Sequence, residues 1–157
     1  GRFLLFCTAA YGNFPVYLKD SDLVLMDLKT RRVIRPDINS SEAETFHSWS
    51  GNSRWFVFSS KRMDGLCARP FFSYLDEDGR ARKPFVLPQR DPDFYDTFIP
   101  TYNVPELARG PVRQSPYSLT RAALNNEKKR NAVLDPAWKT KTRGKTEEDK
   151  LYQQAPR

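Results

Sequence analysis

The apolar positions of this chain fall in short, dense runs separated by polar, turn-forming stretches. Arg2-Phe3-Leu4-Leu5-Phe6-Cys7-Thr8 is a basic residue, four large apolar residues, then small ones. Arg54-Trp55-Phe56-Val57-Phe58-Ser59-Ser60 repeats that order at an offset of 52 residues. Short aromatic-rich runs bounded by turn formers predict buried strands, since a helix needs a longer periodic pattern. The correspondence continues downstream of each run. After the first come Asp22–Leu28, the polar stretch Lys29-Thr30-Arg31-Arg32, then Val33-Ile34. After the second come Arg69–Leu75, Asp76-Glu77-Asp78-Gly79, then Lys83–Leu87. Asp78-Gly79 between apolar runs is a hairpin signal, because glycine takes φ > 0 without a Cβ clash.

The second unit carries an earlier strand, Thr45–Trp49, and a turn, Ser50–Ser53; the first begins at Gly1-Arg2, at the last step of the equivalent turn. A period of roughly 40–50 residues with about four strands is the pattern of propeller blades. The expected class is all-β: a partial β-propeller of about two four-stranded antiparallel blades, the first incomplete, with a short irregular or helical tail. The chain then reads as a fragment that starts inside a blade.

The expected organisation is an incomplete blade at 1–40, a complete blade at 41–88, a Pro/aromatic-rich surface-packing segment at 89–117 and a basic, partly helical tail at 118–157. Prolines in the third part remove backbone donors and predict irregular chain held by its rings. Val112 is a candidate for a short strand. A helix is predicted at 118–134, with Ser118 as N-cap and Asp135-Pro136 as its stop. A capping box at Thr146–Asp149 predicts a last short helix near Lys150–Tyr152.

Trp49-Ser50, the Gly51-Asn52-Ser53 turn, Arg54 and the run ending Ser59-Ser60 resemble the repeat signature of TolB-like β-propellers. That repeat typically reads Trp-Ser-Pro-Asp-Gly-Lys/Arg before an apolar strand; Gly51-Asn52-Ser53 replaces Pro-Asp-Gly here. Over residues 1 to about 112 the chain is similar to the C-terminal end of TolB-like envelope proteins of Bacteroidetes. The resemblance implies a bladed propeller, a periplasmic or cell-envelope location, a protein partner there, membrane proximity through a lipid anchor outside this sequence, and no catalytic machinery. In a propeller each blade buries both faces, which accounts for the unbroken run Trp55–Phe58. Trp55→Ala is then expected to cost about 3–5 kcal/mol if its ring is fully buried, Trp49 to cap the layer between blades, and Ser59 and Ser60 to lead to one mouth of the ring. His47, Trp49, Ser50, Arg54, Trp55 and Phe58 form the structural motif.

Charge changes the picture only in the tail. The 157 residues carry a net charge of +7. Residues 1–112 hold 15 basic against 14 acidic side chains, and residues 113–157 hold 11 against 5. The folded part therefore has no uniformly basic face, which argues against nucleic acid as its partner. The tail aromatics Tyr117, Trp138 and Tyr152 are too scattered for a base-stacking platform. No apolar run reaches the ~20 residues of a membrane-spanning helix. Cys7 and Cys67 do not occupy equivalent repeat positions, and their spacing decides nothing about a disulfide. There is no Cys-x-x-Cys-His for haem and no Cys/His set for zinc, so no cofactor is expected.

The single histidine, His47, sits in a repeat strand beside Trp49 and is read as structural. Ser59, Ser60, Arg62, Arg69 and Tyr95 are the candidate partner-binding residues, because loops on a rigid scaffold carry binding groups. Asp91, Asp93 and Asp96 lack the spacing of a calcium loop, as do Asp76–Asp78, and are read as turn and cap residues. No catalytic or metal-binding residue is assigned. The function expected is a non-enzymatic protein-binding or scaffolding module. Two alternatives stand beside it: a propeller that gates substrates for a hydrolase domain carrying Gly-x-Ser-x-Gly, and an anion-binding protein acting through its basic tail, with steeply salt-dependent binding to nucleic acid or lipid.

Overall fold

The computed structural model describes residues 1–125. The chain divides into a unit at Gly1–Val112 and a second unit from Arg113. The first unit is mostly strand, in two antiparallel sheets with little helix. Strands β1 (Phe3–Thr8), β2 (Asp22–Asp27) and β3 (Val33–Ile34) form one sheet. Strands β4 (Glu44–Trp49), β5 (Trp55–Ser60), β6 (Arg69–Tyr74) and β7 (Phe85–Val86) form the other. Both are meanders in chain order. The two runs that repeat in the sequence are β1 and β5, each paired to the strand that comes after it.

Register explains the burial. Cross-strand partners share a face. Phe58 faces Phe71 and Phe71 faces Val86, so one face of the second sheet is a continuous apolar row. That face, with Phe56, meets Leu5, Leu23 and Leu25 of the first sheet; Ile38 and Leu75 close the core. Phe3, Cys7, Trp49 and Ala81 pack around it. Trp49 lies 5.2 Å from Phe56, ring centre to ring centre. The opposite faces are also apolar: Leu4, Met26 and Val33 form one row, and Trp55 with Tyr74 and Val57 with Phe72 and Phe85 form two more. Trp55 is 39% exposed, not fully buried. It stands on the outer face of β5, edge-on to Tyr74 and Phe85. Phe56, Val57 and Phe58 are buried as expected of the run.

Short strands leave backbone groups that side chains must satisfy. Leu28 N–H donates to the Arg2 carbonyl, which fixes the bonded parity of the β1–β2 ladder. Leu23 therefore points its backbone toward β3, which is too short to reach it. The Asn39 amide fills that place, accepting from Leu23 N–H and donating to its carbonyl, both at 2.9 Å. The two β-turns after β2 and β6 are braced alike. Asp27 Oδ1 accepts from the Lys29 and Thr30 N–H groups, and Asp76 Oδ1 from those of Asp78 and Arg80. Beyond β7 the rest of the first unit is irregular except for one helical turn, α1 (Phe94–Thr97). Val112 is in no strand.

In the second unit, α2 runs Pro116–Leu124. Its N-cap is Ser115, whose side chain accepts from Ser118 N–H, and not Ser118 itself. Pro116 explains the shift: proline is well placed in a first helical turn, and the preceding residue is pushed extended, as a cap requires. Asn125 is the extended C-cap, where the expected helix continues; its remainder at 126–134 and the helix near Lys150–Tyr152 lie outside the described residues.

Burial and the braced turns each have a measurable consequence. Phe58→Ala should lower stability by about 3–5 kcal/mol in urea unfolding, whereas Trp55→Ala should cost clearly less because its ring is partly in water; an equal or larger loss at Trp55 would mean its outer face is covered. The Arg2 guanidinium, hydrogen-bonded to Asp27, holds that carboxyl down to about 2. A carboxylate depressed in the folded state stabilises above its unfolded value, near 3.9, and that stability is lost as pH falls through the folded value. The wild type should thus lose stability between about pH 4 and pH 2, and Arg2→Met should show a flatter acid limb in thermal melts across that window.

Candidate functional site

Two polar clusters sit where strands end. The first is built on Glu44, the opening residue of β4, which is wholly buried. A buried carboxylate must be fully bonded or it costs several kcal/mol. Glu44 accepts from Ser40 N–H and Ser40 Oγ, from Ser60 Oγ at 2.7 Å, and from Arg62 at 3.0 Å. Arg62 also donates Nε to Ser60 Oγ at 2.8 Å and another N–H to the Ile38 carbonyl. Its guanidinium lies over the rings of Phe71 and Phe58, at 4.7 and 5.5 Å. A serine beside a glutamate has the composition of an activated nucleophile. Here the Ser60 hydroxyl is fully buried, donates to Glu44 and accepts from Arg62, so it has neither access nor a free lone pair to offer.

The second cluster is built on Arg69, the first residue of β6 and 1% exposed. Its guanidinium donates to the carbonyls of Phe98 and Pro100 and stands 5.4 Å from the ring centres of Tyr95 and Phe98. Its closest carboxylate is Asp64, at 3.9 Å. Carbonyl dipoles and ring faces thus carry most of the compensation for this charge. The same segment is sewn to the sheet by Thr101 Oγ1 accepting from Ala68 N–H, Tyr102 N–H donating to the Ala68 carbonyl, and Ser59 Oγ donating to the Asn103 carbonyl. Tyr95 donates its hydroxyl to the Leu87 carbonyl at 2.8 Å and accepts from Gln89.

The partner-binding candidates therefore have internal roles in this structure. Ser59, Ser60 and Arg69 are buried, and their hydrogen bonds run to groups within the protein. Arg62 belongs to the Glu44 cluster and Tyr95 to the Arg69 cluster. Residues 98–103 cover the end of β5 where that mouth is expected. Arg54 pairs with Glu77 at 3.0 Å. Ser50 Oγ accepts from Trp55 N–H and donates to Asn52 Oδ1, closing the β4–β5 turn.

His47 occupies an irregular step of β4. The pairing with β5 slips between Thr45 and Ser48, and Phe46 takes φ +46°. The slip re-aims His47 onto the first sheet. Burial pushes its imidazole down from the ordinary value, opposed by a hydrogen bond to the Leu5 backbone. Leu5 turns its backbone away from β2, so His47 meets an otherwise unpaired strand edge. Cys7 and Cys67 are both free thiols. Burial pushes Cys7 up, and its Sγ lies 3.5 Å from the Glu44 carbonyl. Among the described residues, no three His, Cys, Asp or Glu side chains converge as a metal site. Nor is any helix there long and apolar enough to cross a membrane.

Sequence reasoning missed Glu44. In Ser40-Ser41-Glu42-Ala43-Glu44 it reads as one of two solvated acids, and only its position opposite Ser60 gives it away. No protein-family model, curated protein or solved structure matches this chain.

Removing one member of a buried ion pair leaves the other uncompensated. Arg62→Met should therefore destabilise the protein by about 3–5 kcal/mol, and Arg62→Met with Glu44→Gln should be more stable than the single Arg62 variant. Additive losses in a double-mutant cycle would show that the two side chains act separately.

Proposed function

We propose that the chain is part of a TolB-like β-propeller that acts, without catalysis of its own, as a protein-binding or scaffolding module at a bacterial cell envelope. The observation that carries this reading is the tandem of two antiparallel meanders, stacked face to face, with matching strand order and matching aspartate-braced turns. Each sheet of the stack still has an apolar outer face. Leu4 and Val33 are half-exposed on one side, and Trp55 and Phe85 on the other. Ring neighbours would cover such faces, because a blade buries both sides. The outer edge of β1 corresponds to the edge of β5 that β4 covers.

The buried state of the serine–glutamate pair supports a structural use of the groups that look most chemical. The envelope location and the protein partner come from the sequence resemblance. The decisive experiment is the mass and location of the native protein in the producing cells. A species several times 18.3 kDa in the envelope fraction is the expected result. A cytosolic protein of about that mass would overturn the reading, and the tandem would then be a small two-sheet β domain.

A further inference from the structure

A groove of about 760 Å³ lies between residues 32–37, beyond the turn after β2, and residues 78–82, which form the turn after β6. Four arginines line it, Arg32, Arg35, Arg80 and Arg82, against two aspartates, Asp37 and Asp78. Asp22 holds Arg35, and Asp76 holds Arg82 at 3.1 Å. Arg32 and Arg80 make no hydrogen bond or ion pair through their side chains among the described residues; the Arg80 guanidinium acts on Asp76 only through space, while its backbone N–H donates to Asp76 Oδ1. Asp37 has no such partner either, and Asp78 interacts through space with Arg2.

The backbone under these arginines is fixed. Asp27 and Asp76 brace the two turns through their N–H groups. Arg31 sits at φ +58° immediately before Arg32. Gly79 sits at φ +80°, and a Cβ there would come within 2.8 Å of the Phe3 ring. Two like charges on rigid turns from different sheets thus share one groove, each without a counter-ion in contact.

We propose that this groove binds a phosphate-type oxyanion, a phosphomonoester carried either by a soluble molecule or by a lipid headgroup. The planar fork of a guanidinium matches two oxygens of such a group, and braced turns cut the ordering cost of binding. Asp37 and Asp78 in the same lining disfavour a continuous polyanion, so a compact single oxyanion is the class that fits. The groove lies wholly within residues 1–112, and the inference does not depend on the propeller reading.

The test is equilibrium dialysis of the full chain against radiolabelled orthophosphate at low ionic strength. Wild type should bind saturably, and R32Q/R80Q should bind at least about tenfold more weakly, the loss of two charge-assisted contacts. Both arginines are exposed, so an unchanged melting temperature is expected alongside. R32K/R80K, with charge but no fork, should recover part of the binding. The tail variant K128Q/K129Q/R130Q should bind as wild type does. Unchanged affinity in R32Q/R80Q, an equal loss in the tail variant, or no saturable binding by wild type would each overturn the proposal. Sedimentation with phosphatidylcholine vesicles, with and without phosphatidic acid, distinguishes the source. Binding that needs both phosphatidic acid and the two arginines supports a lipid headgroup. Orthophosphate binding without vesicle binding supports a soluble ligand.

Discussion

Neither sheet has a core until the other covers it. The first is three strands wide and ends in a two-residue strand, and the second also ends in two residues. Sheets that small are marginal alone in water. Stacking puts Leu5, Leu23 and Leu25 against Phe56, Phe58 and Phe71, and all six are at most 6% exposed. The face-to-face contact is therefore the constraint that dictates the polar architecture. Strand ends drawn into the contact carry polar groups with them, and each has to be bonded inside the protein.

Glu44 and Arg69 answer that requirement in different ways. Glu44 begins β4, where the first sheet turns into the second, and Glu44 N–H donates to the Ser21 carbonyl across the junction. Its carboxylate collects hydroxyls, a backbone amide and Arg62, so the charge is matched by an opposite charge and by donors. Arg69 has no carboxylate in hydrogen-bonding contact. It is buried because residues 94–102 fold over it, and its guanidinium in turn holds that proline-rich chain by two carbonyls. Prolines have removed donors from this segment, but its carbonyls remain, and an arginine with five N–H groups is suited to meeting them. His47 serves the same end at the edge of β1, where a slipped strand step supplies a side chain to an unpaired backbone.

The strands and their order are legible in the sequence because they depend on local signals: short apolar runs, turn residues and a repeat. The runs at Phe3–Phe6 and Trp55–Phe58 are strands in equivalent positions, and Asp78-Gly79 is a turn with a left-handed glycine. Exposure is less legible. Trp55 and Phe56 look alike in a run, and only the register with Tyr74 and the position of the first sheet decide which faces the core. The roles of Ser59, Ser60, Arg62 and Arg69 are hidden for a related reason. Polar residues after an apolar strand normally mark its exit to solvent. Here residues 31 and 44 positions away return to cover Arg69 and Ser59, and residues 38–44 cover Ser60 and Arg62. No local pattern encodes such non-local partners.

The division of labour between strand ends and turns bears on where recognition resides. The polar side chains at the buried strand ends bond inside the protein, with Thr45 Oγ1 and Arg69 Nε left unpaired among the described residues, so a substitution there acts on the fold before it acts on any ligand. In the turns after β2 and β6 the structural work is done by one aspartate each, and it is done on backbone N–H groups. Some neighbouring side chains then carry no hydrogen bond or ion pair among the described residues, although Thr30 and Glu77 each keep one. Arg32 and Arg80 occupy such positions, on turns that the aspartates and the left-handed residues hold still. A scaffold that satisfies its turns through the backbone leaves those turns able to vary their side chains at little cost to stability, and binding groups accumulate where that freedom exists.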